Sequence, residues 1–153
     1  MPEIEFVTKA TELLQRLKAK GCHLCSPVIA PMTEKKFTAK ALCNPIVASK
    51  LDGPVIPNDF TFDADGMFYV LTGPNRGGKS VITCAVGIAF VMAQLGLPVC
   101  ADECVISPCD EIYTHFPTGS EDTIDKGRLG EECSRLGTIF ETVTEDSLIL
   151  LDE

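Results

Sequence analysis

Residues 73–80 read Gly73-Pro74-Asn75-Arg76-Gly77-Gly78-Lys79-Ser80, and this stretch decides the predicted fold. It fits the pattern G-x-x-x-x-G-K-S/T at every fixed position. Glycines let backbone N–H groups turn inward around phosphate groups, and the start of a helix favours negative charge. In this pattern the lysine reaches the terminal phosphates and the serine hydroxyl ligates Mg²⁺. The stretch therefore predicts a phosphate-binding loop, or P-loop, for ATP with Mg²⁺.

The segments on either side of this loop predict a strand before it and a helix after it. Residues 67–71 form a short apolar run between two glycines, which indicates a buried strand. Apolar residues then recur at helical spacing, so we expect a helix from about Lys79 to about Leu95. Strand, glycine loop and helix in this order are the context that a P-loop requires, and they favour it over an ordinary glycine turn.

The last apolar run, residues 148–151, ends in two carboxylates, Asp152 and Glu153. A continuous apolar run of this length predicts a strand buried in a parallel sheet. At the carboxyl end of a strand beside a P-loop, Asp152 can hold the Mg²⁺ shell while Glu153 polarises the attacking water. The alternative is a hydrophobic strand that simply meets solvent with polar residues. The glycine loop upstream favours the catalytic interpretation.

The remaining pattern predicts an α/β fold of the P-loop NTPase type, with a mostly parallel core sheet, short edge strands and an N-terminal helix. We expect residues 1–21 to be a connecting helix and residues 22–153 to be the nucleotide-binding domain. The further expected elements are a helix over 3–20, short strands in irregular structure over 22–66, β-like runs around Val105 and over 112–116, a loop over 117–125 and a helix over 129–143.

Charge along the chain argues against direct contact with DNA. The formal net charge is -9, with eight Lys/Arg against four acids in residues 1–50 and five against eighteen in residues 51–153. An acidic body repels the phosphate backbone that supplies most nucleic-acid affinity. No signal peptide precedes the first helix, and no apolar run approaches the ~20 residues that span a bilayer, so a cytoplasmic protein is expected.

The eight cysteines leave two interpretations open. Cys22 and Cys25 form a Cys-x-x-Cys pair, and a structural zinc site would need a second pair at similar spacing. Three cysteines supply that spacing only loosely: Cys100, Cys104 and Cys109. Three others sit among apolar neighbours: Cys43, Cys84 and Cys133. Reduced, mostly buried thiols are the favoured interpretation.

Several segments together resemble the ATPase domain of the MutS family of DNA mismatch-repair proteins. They occur in the family's order over about residues 41–153: Asn44-Pro45, Val55-Ile56-Pro57-Asn58, Thr72 to Ser80, Met92-Ala93-Gln94-Leu95-Gly96 and Leu150-Leu151-Asp152-Glu153. The resemblance implies ATP and Mg²⁺ at the P-loop, with Ile56 against the adenine. It also implies a homodimer that couples ATP hydrolysis to a DNA clamp, with DNA held by other domains of a longer protein.

Two departures from the family pattern qualify this expectation. Mismatch-recognising members carry a Gly-Arg-Ser-Thr loop that crosses the dimer to the partner's ATP, whereas this chain has Gly127-Arg128-Leu129-Gly130. This variant is more similar to MutS-related proteins than to the repair proteins proper. Family members also continue past the two carboxylates with an interface loop, a histidine and a dimerisation element. We therefore expect a truncated piece of a longer protein.

Two other functional classes remain open. A nucleotide-gated interaction module would bind ATP or ADP and change partners with little hydrolysis, as the altered crossing loop would allow. An ATPase of the related ABC class shares the Gly-Pro-Asn start of the loop. That class would need a Leu-Ser-Gly-Gly-like signature before the last strand, and residues 124–137 contain none.

Overall fold

The structure, a computed structural model, describes residues 2–51, 53, 55–66, 68–116 and 126–152, without the side chains of residues 126–129 and 131. It divides the chain into two units, residues 1–108 and residues 109–153. Together they make an α/β protein with one mixed sheet and a separate two-stranded parallel sheet.

Helix α1 (Pro2–Ala19) opens the first unit and ends at a glycine. Gly21 has a φ of +83°, and the Cys22 N–H donates to the Leu17 carbonyl oxygen at 3.0 Å. A left-handed glycine with this hydrogen bond is a common helix end. Leu17 is fully buried and packs in a small core that includes Cys22 and Cys100. The predicted N-terminal helix is confirmed.

Four strands form the mixed sheet of the first unit, in the order β1-β4-β2-β3. Their bounds are Val28–Ile29 (β1), Phe37–Leu42 (β2), Asn58–Phe62 (β3) and Glu103–Ile106 (β4). Strand β1 runs parallel to β4, whereas β2 is antiparallel to both β3 and β4. The expectation of a mostly parallel core sheet is therefore wrong for this unit. A parallel pair needs a long crossover, usually a helix, and the connection between β2 and β3 holds only a helix of 6 residues.

That short helix, α2 (Pro45–Lys50), is absent from the sequence-based prediction. It has a strong local signal, because Asn44 is its N-cap and Pro45 its first residue. Just before it, the register of β2 against β3 shifts between Ala39 and Leu42, which marks a β-bulge.

Helix α3 (Lys79–Gln94) packs against the mixed sheet through aromatic rings. The Phe90 ring lies 5.4 Å from that of Phe37 on β2 and 6.2 Å from that of Phe62 on β3, measured between ring centroids. Such offset stacks contribute beyond their buried area. Gly96, with a φ of +73°, follows the helix end. The helix expected after the glycine loop is thus confirmed to within one residue at its end.

The buried strand expected over residues 67–71 is wrong at the positions that are described. Residues 68–71 are neither helix nor strand and pair with no described strand of the first unit. Phe68 is 93% exposed and Val70 is 86% exposed. Tyr69 contacts the end of β3: its ring lies 5.6 Å from that of Phe62, and its hydroxyl accepts from the Asp63 N–H at 3.4 Å. An apolar run reports a tendency to be buried, but a strand also requires a neighbour with which to form a ladder.

The second unit is a β-α-β arrangement. Strands β5 (Ile112–His115) and β6 (Leu148–Leu151) are parallel, with helix α4 (Lys126–Thr142) between them along the chain. The structure confirms the strands expected over 112–116 and 148–151 here, and the one around Val105 in the first unit. It also confirms the helix, which begins three residues before the expected Leu129. The expected burial of the last strand, β6, is confirmed only at Leu150, which is 8% exposed, and is wrong at Leu151, which is 49% exposed. The loop expected over 117–125 lies outside the described residues.

Asp110 ties the start of β5 to the turn before β6. Its two carboxylate oxygens accept from the Thr144 hydroxyl at 2.5 Å and the Ser147 hydroxyl at 2.7 Å. These two hydrogen bonds hold the pKa of the Asp110 carboxyl below its ordinary value, because they favour the charged form. The two hydrogen bonds therefore connect this turn to the Asp110 carboxylate in its ionised form.

The cysteines are free thiols, of which four are buried: Cys22, Cys100 and Cys104 in the first unit and Cys109 in the second. Burial raises the pKa of Cys100 and of Cys104 to about 12 in each case. Cys133 is exposed, so its expected burial is wrong. Among the described residues, no group of three or more His, Cys, Asp or Glu side chains could hold a metal ion. The described helices include none that is long and apolar enough to cross a membrane.

Candidate functional site

Residues 73–80, named here the glycine loop, fold into a tight turn that leads directly into α3. The Gly77 N–H donates to the Pro74 carbonyl oxygen at 3.0 Å, and Arg76 has a φ of +65°. A Cβ added at Gly77 would lie 2.8 Å from that same carbonyl oxygen, closer than real contacts allow. Gly78 has a φ of +88° and is the N-cap of α3. A side chain would therefore strain the backbone at Gly78, the pattern's second fixed glycine, and would clash at Gly77, which stands at one of its variable positions.

The beginning of α3 presents an uncapped helix end. No side chain of the glycine loop accepts a hydrogen bond as the N-cap of this helix, because Gly78 occupies that position. Helix N-termini carry partial positive charge and unpaired N–H groups. A helix end without a side-chain cap leaves these N–H groups available to hydrogen-bond an anion.

Lys79 folds back over the loop. Its ammonium group donates to the Gly73 carbonyl oxygen at 2.8 Å and to the Pro74 carbonyl oxygen at 3.2 Å. These contacts place the ammonium group of Lys79 against the backbone carbonyl oxygens of the turn. Ser80, the next residue, is exposed in the first turn of α3. The structure therefore brings Gly73 through Ser80 together in one turn at the start of α3, and anion binding by this turn stays a prediction.

Asn44 is a site neighbour that the sequence reasoning used only for resemblance. Its carboxamide oxygen caps α2, and its Nδ2 donates to the Val81 carbonyl oxygen in the first turn of α3 at 2.9 Å. The Asn-Pro pair could have revealed the cap, since Asn before Pro is a typical helix start. The hydrogen bond to α3 has no local signal because it joins residues 37 positions apart.

Ile56 lies in the segment that leads into β3 and is 82% exposed. The Asn58 side-chain amide donates to its carbonyl oxygen at 3.3 Å, which steadies the backbone there. An exposed branched side chain offers a flat ring a surface on which to pack. Its contact with a base remains a prediction.

The predicted carboxylates follow β6 in the second unit. The Asp152 N–H donates to the His115 carbonyl oxygen at 2.9 Å, so the ladder of β5 and β6 continues through this residue. Asp152 is half-buried, and Glu153 lies outside the described residues. The Nδ1 atom of His115 is buried and has no hydrogen-bond partner within the described part of the chain. This histidine, unnoticed in the sequence, stands at the same strand end as Asp152.

Comparison with known proteins matches residues 69–153 to the family model described as MutS domain V. The chain belongs to this MutS family. The matched range begins just before the glycine loop and includes α3, β6 and both carboxylates. Membership thus agrees with the resemblance inferred from the motifs.

Two MutS-family relatives extend the comparison. The chain is 39% identical over 112 residues to the DNA mismatch repair protein MutS of Methanothrix thermoacetophila, covering 72% of this chain and 13% of that protein. It is 35% identical over 147 residues to the DNA mismatch repair protein MSH3 of Candida glabrata, covering 93% of this chain and 14% of that protein. The chain therefore spans only 13% of the length of the first relative and 14% of the length of the second.

Proposed function

We propose that this chain is the ATP-binding part of a MutS-like DNA-processing protein, in which ATP binding and hydrolysis drive a DNA clamp. The observation that carries the proposal is the glycine loop, which ends in Lys79 and Ser80 at the uncapped start of α3. Helix charge, backbone N–H groups and a lysine that is already poised over the loop together favour a polyphosphate. The names of the two relatives support a role in mismatch repair or a related process.

The residues divide the work by their chemistry. Lys79 turns from the loop carbonyl oxygens to the terminal phosphates, and Ile56 packs against the adenine. We propose Ser80 and Asp152 as the protein ligands of Mg²⁺, because a hydroxyl and a carboxylate are each hard oxygen ligands of the kind that Mg²⁺ prefers. Bound Mg²⁺ supplies charge neutralisation at the phosphates. Glu153 orients and polarises the attacking water.

DNA contact is assigned to other parts of a longer protein. Residues 51–153 carry thirteen more acidic than basic side chains, from the eighteen acids and five bases counted above. Such a surface repels the DNA backbone. We further propose that two copies of the longer protein act as a homodimer, as the family resemblance implies.

A second candidate function is a nucleotide-gated interaction module that hydrolyses ATP slowly. The observation that favours it is Leu129, which stands where the crossing loop of mismatch-recognising members has serine. A group supplied across a dimer can accelerate phosphoryl transfer by ~10³-fold or more, so an altered crossing loop can leave binding intact while lowering turnover.

Steady-state phosphate release under excess ATP separates the two functions. We expect very slow release from the isolated chain and faster release from the longer dimeric protein, with the latter lost on Glu153→Gln. Glu153→Gln keeps the size of the side chain but removes the carboxylate that polarises water. Release by the longer protein that is equally slow, or unchanged by Glu153→Gln, would reject the ATPase and favour the interaction module. Fast release by the monomeric chain would reject the requirement for a dimer.

A further inference from the structure

Asn44 is polar and yet buried, with 4% of its surface exposed. Its Oδ1 accepts from the Ile46 N–H at 2.9 Å and the Val47 N–H at 3.1 Å, which caps α2. The cap uses only the oxygen of the carboxamide. A helix cap by itself could equally be aspartate or serine, so the nitrogen needs a separate explanation.

The nitrogen of this carboxamide reaches a different helix. Nδ2 donates to the Val81 carbonyl oxygen at 2.9 Å, and Val81 follows Lys79 and Ser80 directly. The first turn of α3 has no side-chain cap at Gly78. The side-chain amide of Asn44, which lies outside α3, therefore donates a hydrogen bond to the turn of α3 that contains Lys79 and Ser80.

The backbone around Asn44 is itself firmly held. The Cys43 N–H donates to the Cys100 carbonyl oxygen at 2.8 Å, and Leu42 is buried at the end of β2. Asn44 thus joins a rigid sheet end to the first turn of α3. Buried hydrogen bonds between rigid elements fix relative position more than they add stability.

We propose that Asn44 is a positioning residue of the nucleotide site. Its side-chain amide fixes the position and orientation of the first turn of α3, and so directs Lys79 and Ser80 towards the phosphates. This inference rests on the proposed function. Binding sites depend on such support, because a group displaced by even 1 Å loses much of its effect.

The test separates two roles of Asn44: its oxygen caps α2, and its nitrogen donates to the Val81 carbonyl oxygen of α3. Asn44→Ser keeps an oxygen that caps α2 but ends too short to reach Val81. Asn44→Asp also keeps the cap but replaces the donor with an oxygen that repels the Val81 carbonyl. The control is Ser49→Gly, which weakens the exposed end of α2 without touching α3. Folding of each variant is checked by circular dichroism. If Asn44→Asp does not fold, the result for Asn44→Ser alone decides the inference.

The measurement is calorimetric affinity for the magnesium complex of a non-hydrolysable ATP analogue, together with hydrogen exchange in α3 without nucleotide. We expect Asn44→Ser and Asn44→Asp to weaken binding about tenfold and to speed exchange in the first turn of α3, while Ser49→Gly does neither. Wild-type affinity and exchange in both Asn44 variants would show a cap alone and overturn the inference, with the proposed function intact. Failure of the unaltered chain to bind the analogue would instead overturn the proposed function, and the positioning role with it.

Discussion

At the scale of single residues, the glycine loop shows why the pattern G-x-x-x-x-G-K-S/T is read so readily from sequence. Local steric demands explain its glycines: the fixed Gly78 has a left-handed backbone, and Gly77, at a variable position, lies too close to a carbonyl oxygen for a side chain. Such demands are written in a few neighbouring residues, so sequence reasoning finds them. By contrast, the hydrogen bond from Asn44 to α3 depends on a partner 37 positions away, and nothing beside Asn44 in the chain reveals it.

Gly77 provides a test at this scale. Gly77→Ala places a Cβ 2.8 Å from the Pro74 carbonyl oxygen, so the turn must open and the N–H groups must move. We expect the affinity for Mg-ATP to fall by about tenfold or more, since a misplaced donor loses most of its hydrogen-bond energy. Gly137→Ala in α4 is the matched control, because a Cβ there meets nothing within 4 Å. Equal affinities for the two variants would contradict the role assigned to the turn.

At the scale of elements, helices with strong periodicity were predictable and strand partners were not. Helix α3 has continuous apolar spacing and a glycine stop, and its predicted bounds are confirmed. Residues 68–71 have an equally apolar pattern but lack a neighbour in the first unit as described. Sheet order depends on contacts between distant segments, which composition and periodicity do not encode. The short helix α2 escaped notice because six residues are too few for a periodic pattern.

The turn fastened by Asp110 gives an element-scale prediction about pH. The hydrogen bonds from Thr144 and Ser147 lower the pKa of Asp110 in the folded state below the ordinary 3.8. The carboxylate therefore stabilises the fold at pH values above 3.8, and this contribution is lost as the pH falls through the lower, folded-state pKa. We expect Asp110→Ala to be destabilised relative to wild type at neutral pH, with a gap that closes below pH 3.8. Urea unfolding of both proteins across this range is the measurement, and a gap independent of pH would refute the explanation.

At the scale of the whole molecule, charge predicts what the chain does not bind. The net charge of -9 arises from residues 51–153, while residues 1–50 are basic. We expect affinity for duplex DNA weaker than about 10 µM at physiological salt, since too few basic groups are available to release counterions. Fluorescence anisotropy with labelled duplex is the measurement. Submicromolar binding that weakens with added salt would show that the basic first third dominates the acidic remainder.

The central claim for the whole molecule is that it grips Mg-ATP through the glycine loop. Isothermal titration calorimetry with the magnesium complex of a non-hydrolysable ATP analogue tests this most directly. Three proteins are compared: the unaltered chain, Lys79→Ala, and Lys18→Ala as a control on the exposed surface of α1. We predict saturable binding that Lys79→Ala weakens by about ten- to a hundredfold, because it removes a charge-assisted contact with the terminal phosphates, and that Lys18→Ala leaves unchanged. Equal affinity of the unaltered chain and Lys79→Ala, or no saturable binding by either, would contradict the account.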